Sequence, residues 1–173
     1  MFDSIRALFG KVTQGREAVD LNDIIVDIIK SMNEQLAGHQ VAAHTELTAN
    51  LPLINGHGAQ LREVIFNLAT NAVEAMDIVT DRKRVLRVRT ELRDPDAIVV
   101  SVQDSGPGID PKRLDSIFGA FFTTKAHGTG LGLAICRMII EHHGGRLTAS
   151  SDGKSGTMFQ FVLPIKEEAN TFT

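Results

Sequence analysis

The sequence predicts an α+β fold: a two-layer sandwich of a mixed β-sheet and about three helices. Two segment pairs, within residues 84–103 and 146–163, alternate apolar and polar residues around short turns and read as hairpins. Three longer stretches, near residues 20–37, 58–79 and 131–142, repeat apolar residues at spacings of three and four, as amphipathic helices do. The hairpins stand at different places in the order, which argues for a mixed sheet covered by helices on one face.

In order, residues 3–9 read as a short helical stretch and 10–16 as a polar hinge. Asp20 is a plausible N-cap for a helix to Ala37, with Leu21, Ile24, Ile25, Ile28, Ile29, Met32 and Leu36 as its core stripe and Gly38 as its stop. Val41–Leu47 reads as a strand and Leu51–Asn55 as a short extended piece. A long helix runs from Gly58 to Val79. Strands 84–92 and 97–103 follow, joined through Pro95, and then a short helix over Pro111–Phe118. Residues 119–129 have no periodicity and read as a loop. The next helix, 131–142, puts Leu131, Ile135, Met138, Ile139 and His142 on one face, and Gly144-Gly145 stops it. Strands 146–151 and 157–163 flank a Gly153-Lys154-Ser155-Gly156 turn, and 167–173 reads as a disordered tail.

With 173 residues, 43% of them apolar, the chain can build one domain with a proper core. A net charge of −3 and the absence of Trp and Tyr give no support to nucleic-acid or anionic-membrane binding. The single cysteine, Cys136, excludes an internal disulfide and reads as a buried structural thiol. No apolar run approaches the ~20 residues that span a bilayer, and no signal-peptide pattern opens the chain. The expectation for the chain as given is a soluble, cytoplasmic protein.

On the helix over residues 61–76, Leu61, Val64, Ile65, Leu68, Ala69, Ala72 and Met76 share one face. Glu63, Asn67, Asn71 and Glu74 share another, at spacings of four, four and three. Asn is a poor helix former, so two carboxamides in register are unexpected on a merely wet face. A solvated polar stripe is one reading. A magnesium site is the other, since a carboxamide oxygen ligates Mg²⁺ without repelling phosphates.

Asp104 continues the alternation of Ile98, Val100 and Val102, so its carboxylate points inward. It can cap the turn leading to Gly106 and Gly108, or it can accept a hydrogen bond from the exocyclic amine of adenine. Gly128, Gly130 and Gly132 precede a helix, where backbone N–H groups hold phosphate, and Lys125 adds a cation. Two other phosphate motifs are excluded. Gly153-Lys154-Ser155 has Thr148 where a P-loop needs glycine, and Leu133 stands where a dinucleotide fingerprint needs its last glycine. Phe118, Phe121 and Phe122 cluster at the base of the loop, as a core anchor or as a latch that docks it.

Asn67–Ala72, Asp104–Gly108, Phe121–Lys125 and Gly128–Leu133, in that order, resemble the N, G1, F and G2 boxes of the ATP-binding domain of bacterial sensor histidine kinases. That Bergerat-type fold is shared with DNA gyrase B, MutL and the large heat-shock chaperone ATPases. Phe118–Lys125, Glu141–Gly145 and Gly156–Pro164 are similar to the nitrogen-regulation and oxygen-sensing subgroup. The resemblance implies Mg²⁺ on Asn71, assisted by Asn67, and Asp104 on the adenine amine. It implies a purine pocket shaped by Gly106, Gly108 and Ile109, with Thr157 beside the carboxylate. Gly128, Gly130 and Gly132 would serve the phosphates, Lys125 would approach them from the lid in a catalytic role, and Thr124, Thr129, Leu131 and Leu133 would belong to the nucleotide site. Residues 119–129 would form a lid ordered by nucleotide.

Some positions depart from the pattern. Glu74 and Ala75 stand where many histidine kinases carry Lys and an aromatic residue, and only two residues separate Lys125 from Gly128. Asn67 stands where the gyrase branch carries a Glu base, so efficient hydrolysis is not expected. None of the six histidines is followed by Asp or Glu, as a phosphoacceptor histidine would be. The resemblance therefore implies a remnant of an upstream dimerisation helix and hinge at 1–16, the catalytic domain at 17–166, and a tail at 167–173. It implies an isolated monomer that phosphorylates a histidine-bearing dimerisation domain and, through it, a response regulator. A non-catalytic nucleotide-gated module and a standalone ATPase or serine kinase of this fold are the competing readings.

Overall fold

Strand β5 (Ala97–Asp104) has both faces covered over most of its length, and the rest of the sheet is arranged around it. A computed structural model describes residues 15–93, 95–119 and 132–165. The other strands are β1 (Glu17–Val19), β2 (Val41–Glu46), β3 (Ile54–Gly56), β4 (Arg84–Arg93), β6 (Arg146–Ser151) and β7 (Thr157–Pro164). The main sheet has the order β2-β4-β5-β7-β6; β2 and β4 are parallel and the other neighbours antiparallel. It is therefore mixed, as expected, with both hairpins in place. A separate ribbon pairs β1 with β3.

The helices are α1 (Leu21–Ser31), α2 (Asn33–Gly38), α3 (Gly58–Ala75) and α4 (Gly132–His142). The central helix α3 packs against α1, α4 and β5. Its face of Leu61, Val64, Ile65, Leu68, Ala69, Ala72 and Met76 is buried, as are the inward residues Leu86, Val88, Ile98, Val100, Val102, Phe159, Phe161 and Leu163 of the sheet. Each large side chain buried there contributes roughly 1.5–3 kcal/mol. Phe118 is half-buried, meets the Phe159 ring edge-on at 6.2 Å, and so acts as a core anchor.

Four local expectations need correction. The helix expected over 20–37 starts as foreseen, with Asp20 accepting from the Asp23 N–H at 3.1 Å, but it breaks at Met32. Met32 sits at φ −87° and ψ 3°, and the Ile28 carbonyl accepts both its N–H at 3.0 Å and the Ser31 hydroxyl at 2.8 Å. The left-handed residue beyond Gly38 is Gln40, at φ 56°. Helix α3 stops at Ala75 instead of Val79, because Met76, Asp77 and Val79 bond three residues back. Arg84 then takes the freed carbonyls of Asp77 and Val79. Pro111–Phe118 holds only a short 3₁₀ turn, Pro111–Arg113, capped by Asp110. On α4 the buried residues are Cys136, Ile139 and Ile140, while Met138 is 53% exposed and His142 is exposed. The expected stripe was displaced by one position, toward the face that meets α3.

Candidate functional site

The polar stripe of α3 and the exit of β5 form the two described parts of the site. Along α3, Glu63, Asn67 and Asn71 are half-buried, and Glu74 is exposed one turn further on. Asn67 Nδ2 donates to Glu63 Oε1 at 3.3 Å, within the polar stripe, and the Asn67 side chain also bonds the Cys136 thiol. Helix α4 closes the neighbouring flank. Its Cys136 is fully buried, with Sγ 4.0 Å from the Val64 carbonyl. Burial pushes that thiol up to about 12, so it is protonated and inert, as a structural thiol should be.

Asp104 is 5% exposed at the end of β5. Its Oδ1 accepts the Gly106 N–H at 2.8 Å and the Thr157 N–H at 3.2 Å. The carboxylate thus does cap its own turn, and it also reaches across to β7. Burial raises its pKa above the ordinary carboxylate value, against the opposing pull of those two N–H groups. Thr157 lies inward on β7 with Phe159, Phe161 and Leu163, as the alternation predicts.

Two glycines lock the β5 exit against the β6–β7 turn. Gly156, at φ 124°, presses so closely that a Cβ there would lie 2.0 Å from the Asp104 carbonyl. Gly108, at φ 81°, would place a Cβ 2.7 Å from Ser151 Oγ. Ser151 joins the loops: its hydroxyl accepts from the N–H groups of Ile109 and Gly153 and donates to the Gly156 carbonyl at 2.6 Å. Gly108 therefore serves loop-to-loop packing, a role the sequence reading did not give it.

Among the expected site residues, Asp104, Gly106, Gly108, Ile109 and Thr157 come together at the β5 exit, and Asn67 and Asn71 lie along α3. Gly132 and Leu133 open α4, with Leu133 half-buried against the core. Thr124, Lys125, Gly128, Thr129, Gly130 and Leu131 lie outside the described residues, as do Phe121, Phe122, most of the expected lid, the 3–9 helix and the tail. Sequence reasoning missed Ser151 and Arg82. Ser151 had a signal, a polar residue in the inward register of Leu147 and Ala149; Arg82 sits in a charged run with no pattern to single it out.

A mixed sheet layered with helices, with a buried acid at the end of its central strand and carboxamides along its central helix, defines a Bergerat-type ATP-binding domain. Residues 56–167 match the family described as histidine kinase-, DNA gyrase B-, and HSP90-like ATPase, and the chain belongs to it. It is 35% identical over 156 residues to sensor protein TdiS of Thauera aromatica, covering 90% of this chain and 28% of that protein. It is 35% identical over 149 residues to sensor histidine kinase ZraS of Salmonella typhi, covering 86% of this chain and 31% of that protein. The chain thus spans under a third of the length of these relatives. The nucleotide-free catalytic domain of histidine kinase ThkA superposes with a TM-score of 0.78 at 30% identity, covering 89% of this chain and all of that one. ThkA in complex with response regulator protein TrrA shares the fold, with a TM-score of 0.74 at 24% identity, over 95% of this chain and 48% of that one. Within the family, the chain corresponds to the ATP-binding catalytic domain of sensor histidine kinases. Among the described residues, no helix is long and apolar enough to cross a membrane.

Proposed function

We propose that this domain binds Mg·ATP and transfers the γ-phosphoryl group to a histidine on a separate dimerisation domain, from which a response regulator receives it. Asp104 carries the reading: its carboxylate is kept in a buried, charge-disfavouring place with two backbone donors aimed at one oxygen. Its other oxygen accepts the adenine amine and disfavours the carbonyl of guanine. Gly106, Gly108, Ile109 and Thr157 frame the purine. The half-buried carboxamides of Asn67 and Asn71 fit a hard cation that takes oxygen ligands, and these two residues would hold Mg²⁺. When bound, the ion supplies charge neutralisation at the phosphates.

By resemblance, Thr124, Lys125 and the residues from Gly128 to Leu133 hold the phosphates, with Lys125 balancing developing charge. The bond from the γ-phosphorus to the bridging oxygen breaks, a P–N bond to the acceptor imidazole forms, and ADP leaves with the electron pair. Positioning supplies the catalysis, and the proton acceptor belongs to the histidine-bearing domain. Asn67 cannot act as a base, so hydrolysis without an acceptor is slow. The isolated domain is read as a monomer working in the cytoplasm, with residues 17–166 as its folded unit.

Calorimetry of the chain with ATP and GTP, with and without Mg²⁺, tests the binding half. Adding a matching histidine-bearing domain tests transfer. Equal affinity for ATP and GTP removes the adenine role of Asp104. Tight ATP binding without transfer to the acceptor leaves the domain as a nucleotide-gated binding module.

A further inference from the structure

We infer that Arg82 is a positioning residue for adenine recognition: from the α3–β4 connection, its guanidinium grips the main-chain carbonyls of the two loops that frame Asp104. The inference rests on the adenine role of Asp104 proposed above and deepens it.

Arg82 Nε donates to the Ser105 carbonyl at 3.1 Å. Its Nη2 donates to the Gly106 carbonyl at 2.7 Å and to the Lys154 carbonyl at 3.1 Å. Nη1 faces the Asp81 carboxylate at 3.5 Å, a surface contact of little consequence. Ser105 and Gly106 are the two residues after Asp104, and Lys154 lies in the turn that leads into Thr157. Gly106 and Thr157 are also the two residues whose N–H groups bond Asp104 Oδ1. One guanidinium therefore holds both loops from which Asp104 receives its donors. It does so without touching the carboxylate, so it acts through loop position and not through its charge.

The connection grips the β5 exit a second time. Ser105 Oγ accepts the Val85 N–H at 2.9 Å and donates to the Lys83 carbonyl at 2.9 Å. Residues 82–85 thus hold residues 105 and 106 at two points. The same connection leaves α3, which carries Asn67 and Asn71. Arg82 joins the end of the carboxamide helix to the adenine loop, the two parts of the site that one nucleotide must span together. Three carbonyls suit a planar fork with donors in fixed geometry; an ammonium, a point charge on a flexible stem, holds the same set less well.

The experiment is calorimetry with ATP and GTP, and thermal melting, on the full chain and on R82A, R82K, D104N and the R82A/D104N double variant. The expected result for R82A is a loss of about tenfold in ATP affinity, the size of one charge-assisted hydrogen bond, together with a fall in the ATP-to-GTP affinity ratio. R82K restores only part of that ratio. In the double variant the two losses do not add, because both act on one contact. A shifted melting temperature with an unchanged ATP-to-GTP ratio in R82A overturns the inference and leaves Arg82 as a structural strap. Should R82A not fold, R82K carries the same comparison: a full wild-type ratio in R82K overturns the need for the fork. A wild-type chain without ATP preference, or D104N with wild-type affinity, breaks the reading of Asp104 itself and this inference with it. Wild type and D104N behaving as expected beside an unaltered R82A ratio overturns Arg82 alone.

Discussion

Asp104 ends β5 and Asp152 follows β6, and each carboxylate accepts main-chain N–H groups from a glycine-containing turn. Asp152 Oδ1 takes the N–H groups of Lys154 and Ser155, both at 2.8 Å, and the Ser155 hydroxyl bonds its other oxygen. Those bonds, the Ser155 hydroxyl first, lower its pKa to about 2. Asp104 has the same kind of donors, yet its pKa is raised, because loss of solvent outweighs them. The β6–β7 turn shows that a turn cap needs no burial. The β5 exit keeps a carboxylate where ionisation costs stability, a cost that the adenine amine would offset under the role proposed for Asp104.

The largest expected effect comes from the glycine that presses the two loops together. Gly156→Ala should destabilise the fold by about 3 kcal/mol, since its Cβ would collide with the Asp104 carbonyl. Gly153→Ala, strained at φ 78° but with its nearest neighbour at 3.4 Å, should cost about 1 kcal/mol. Urea unfolding measures both, and equal losses would mean that the contact between the loops does not matter.

Next in size is Asp104→Asn, which should weaken ATP binding by about 1.5–3 kcal/mol. The amide oxygen can still accept from Gly106 and Thr157, so folding stability should hold or rise. Asp152→Asn should leave ATP affinity as it is. A matching loss of affinity in both variants would erase the distinction drawn here.

The pH response should separate the two acids by sign. Asp104 favours its neutral form in the fold, so its contribution is present below the ordinary value of 3.8 and is lost as pH rises through the raised folded value. Asp152 favours its charged form, so its contribution is present above 3.8 and is lost as pH falls toward about 2. Denaturation of wild type, D104N and D152N across that range should give opposite slopes for the two variants relative to wild type. Parallel slopes would show that burial does not decide the sign.

His143 extends the same rule to a base, with the smallest expected effect. Its Nδ1 donates to the Ile139 carbonyl at 2.7 Å and its Nε2 accepts the His57 N–H at 3.0 Å, so the fold uses the neutral ring. Burial lowers its pKa first, and Arg16, His57 and His142 around it add to that. A lowered histidine contributes full stability above its ordinary 6.5 and loses it as pH falls toward the folded value. Melting temperatures should therefore fall below about pH 6.5 in wild type and flatten in His143→Gln. An unchanged pH slope in the variant would remove His143 from the account.

Much of this was legible in the chain itself. The inward parity of Asp104 and Thr157, the buried face of α3 and the two hairpins follow from side-chain periods of two and of three to four, which are properties of local backbone geometry. The Asp20 cap and the stop at Gly144-Gly145 are equally local. Other local features departed from the pattern: one helix turns at Met32, and three-residue turns shorten another. The stripe on α4 shifted because α3 chose which flank to cover, and that choice lies outside α4.

What the sequence determined by itself was the parity of side chains along the strands, the buried face of α3 and the family to which the chain belongs. What the tertiary structure decided was who meets whom. Register between β5 and β7 brings the Thr157 N–H to Asp104 across a sequence separation of 53 residues. Packing of three loops brings Ser151 and Arg82 to carbonyls and amides that no spacing connects to them. Parity is fixed by the bonds of neighbouring residues, whereas a pairing partner is fixed only when distant strands close, and the buried environment that raises the pKa of Asp104 exists only after they have.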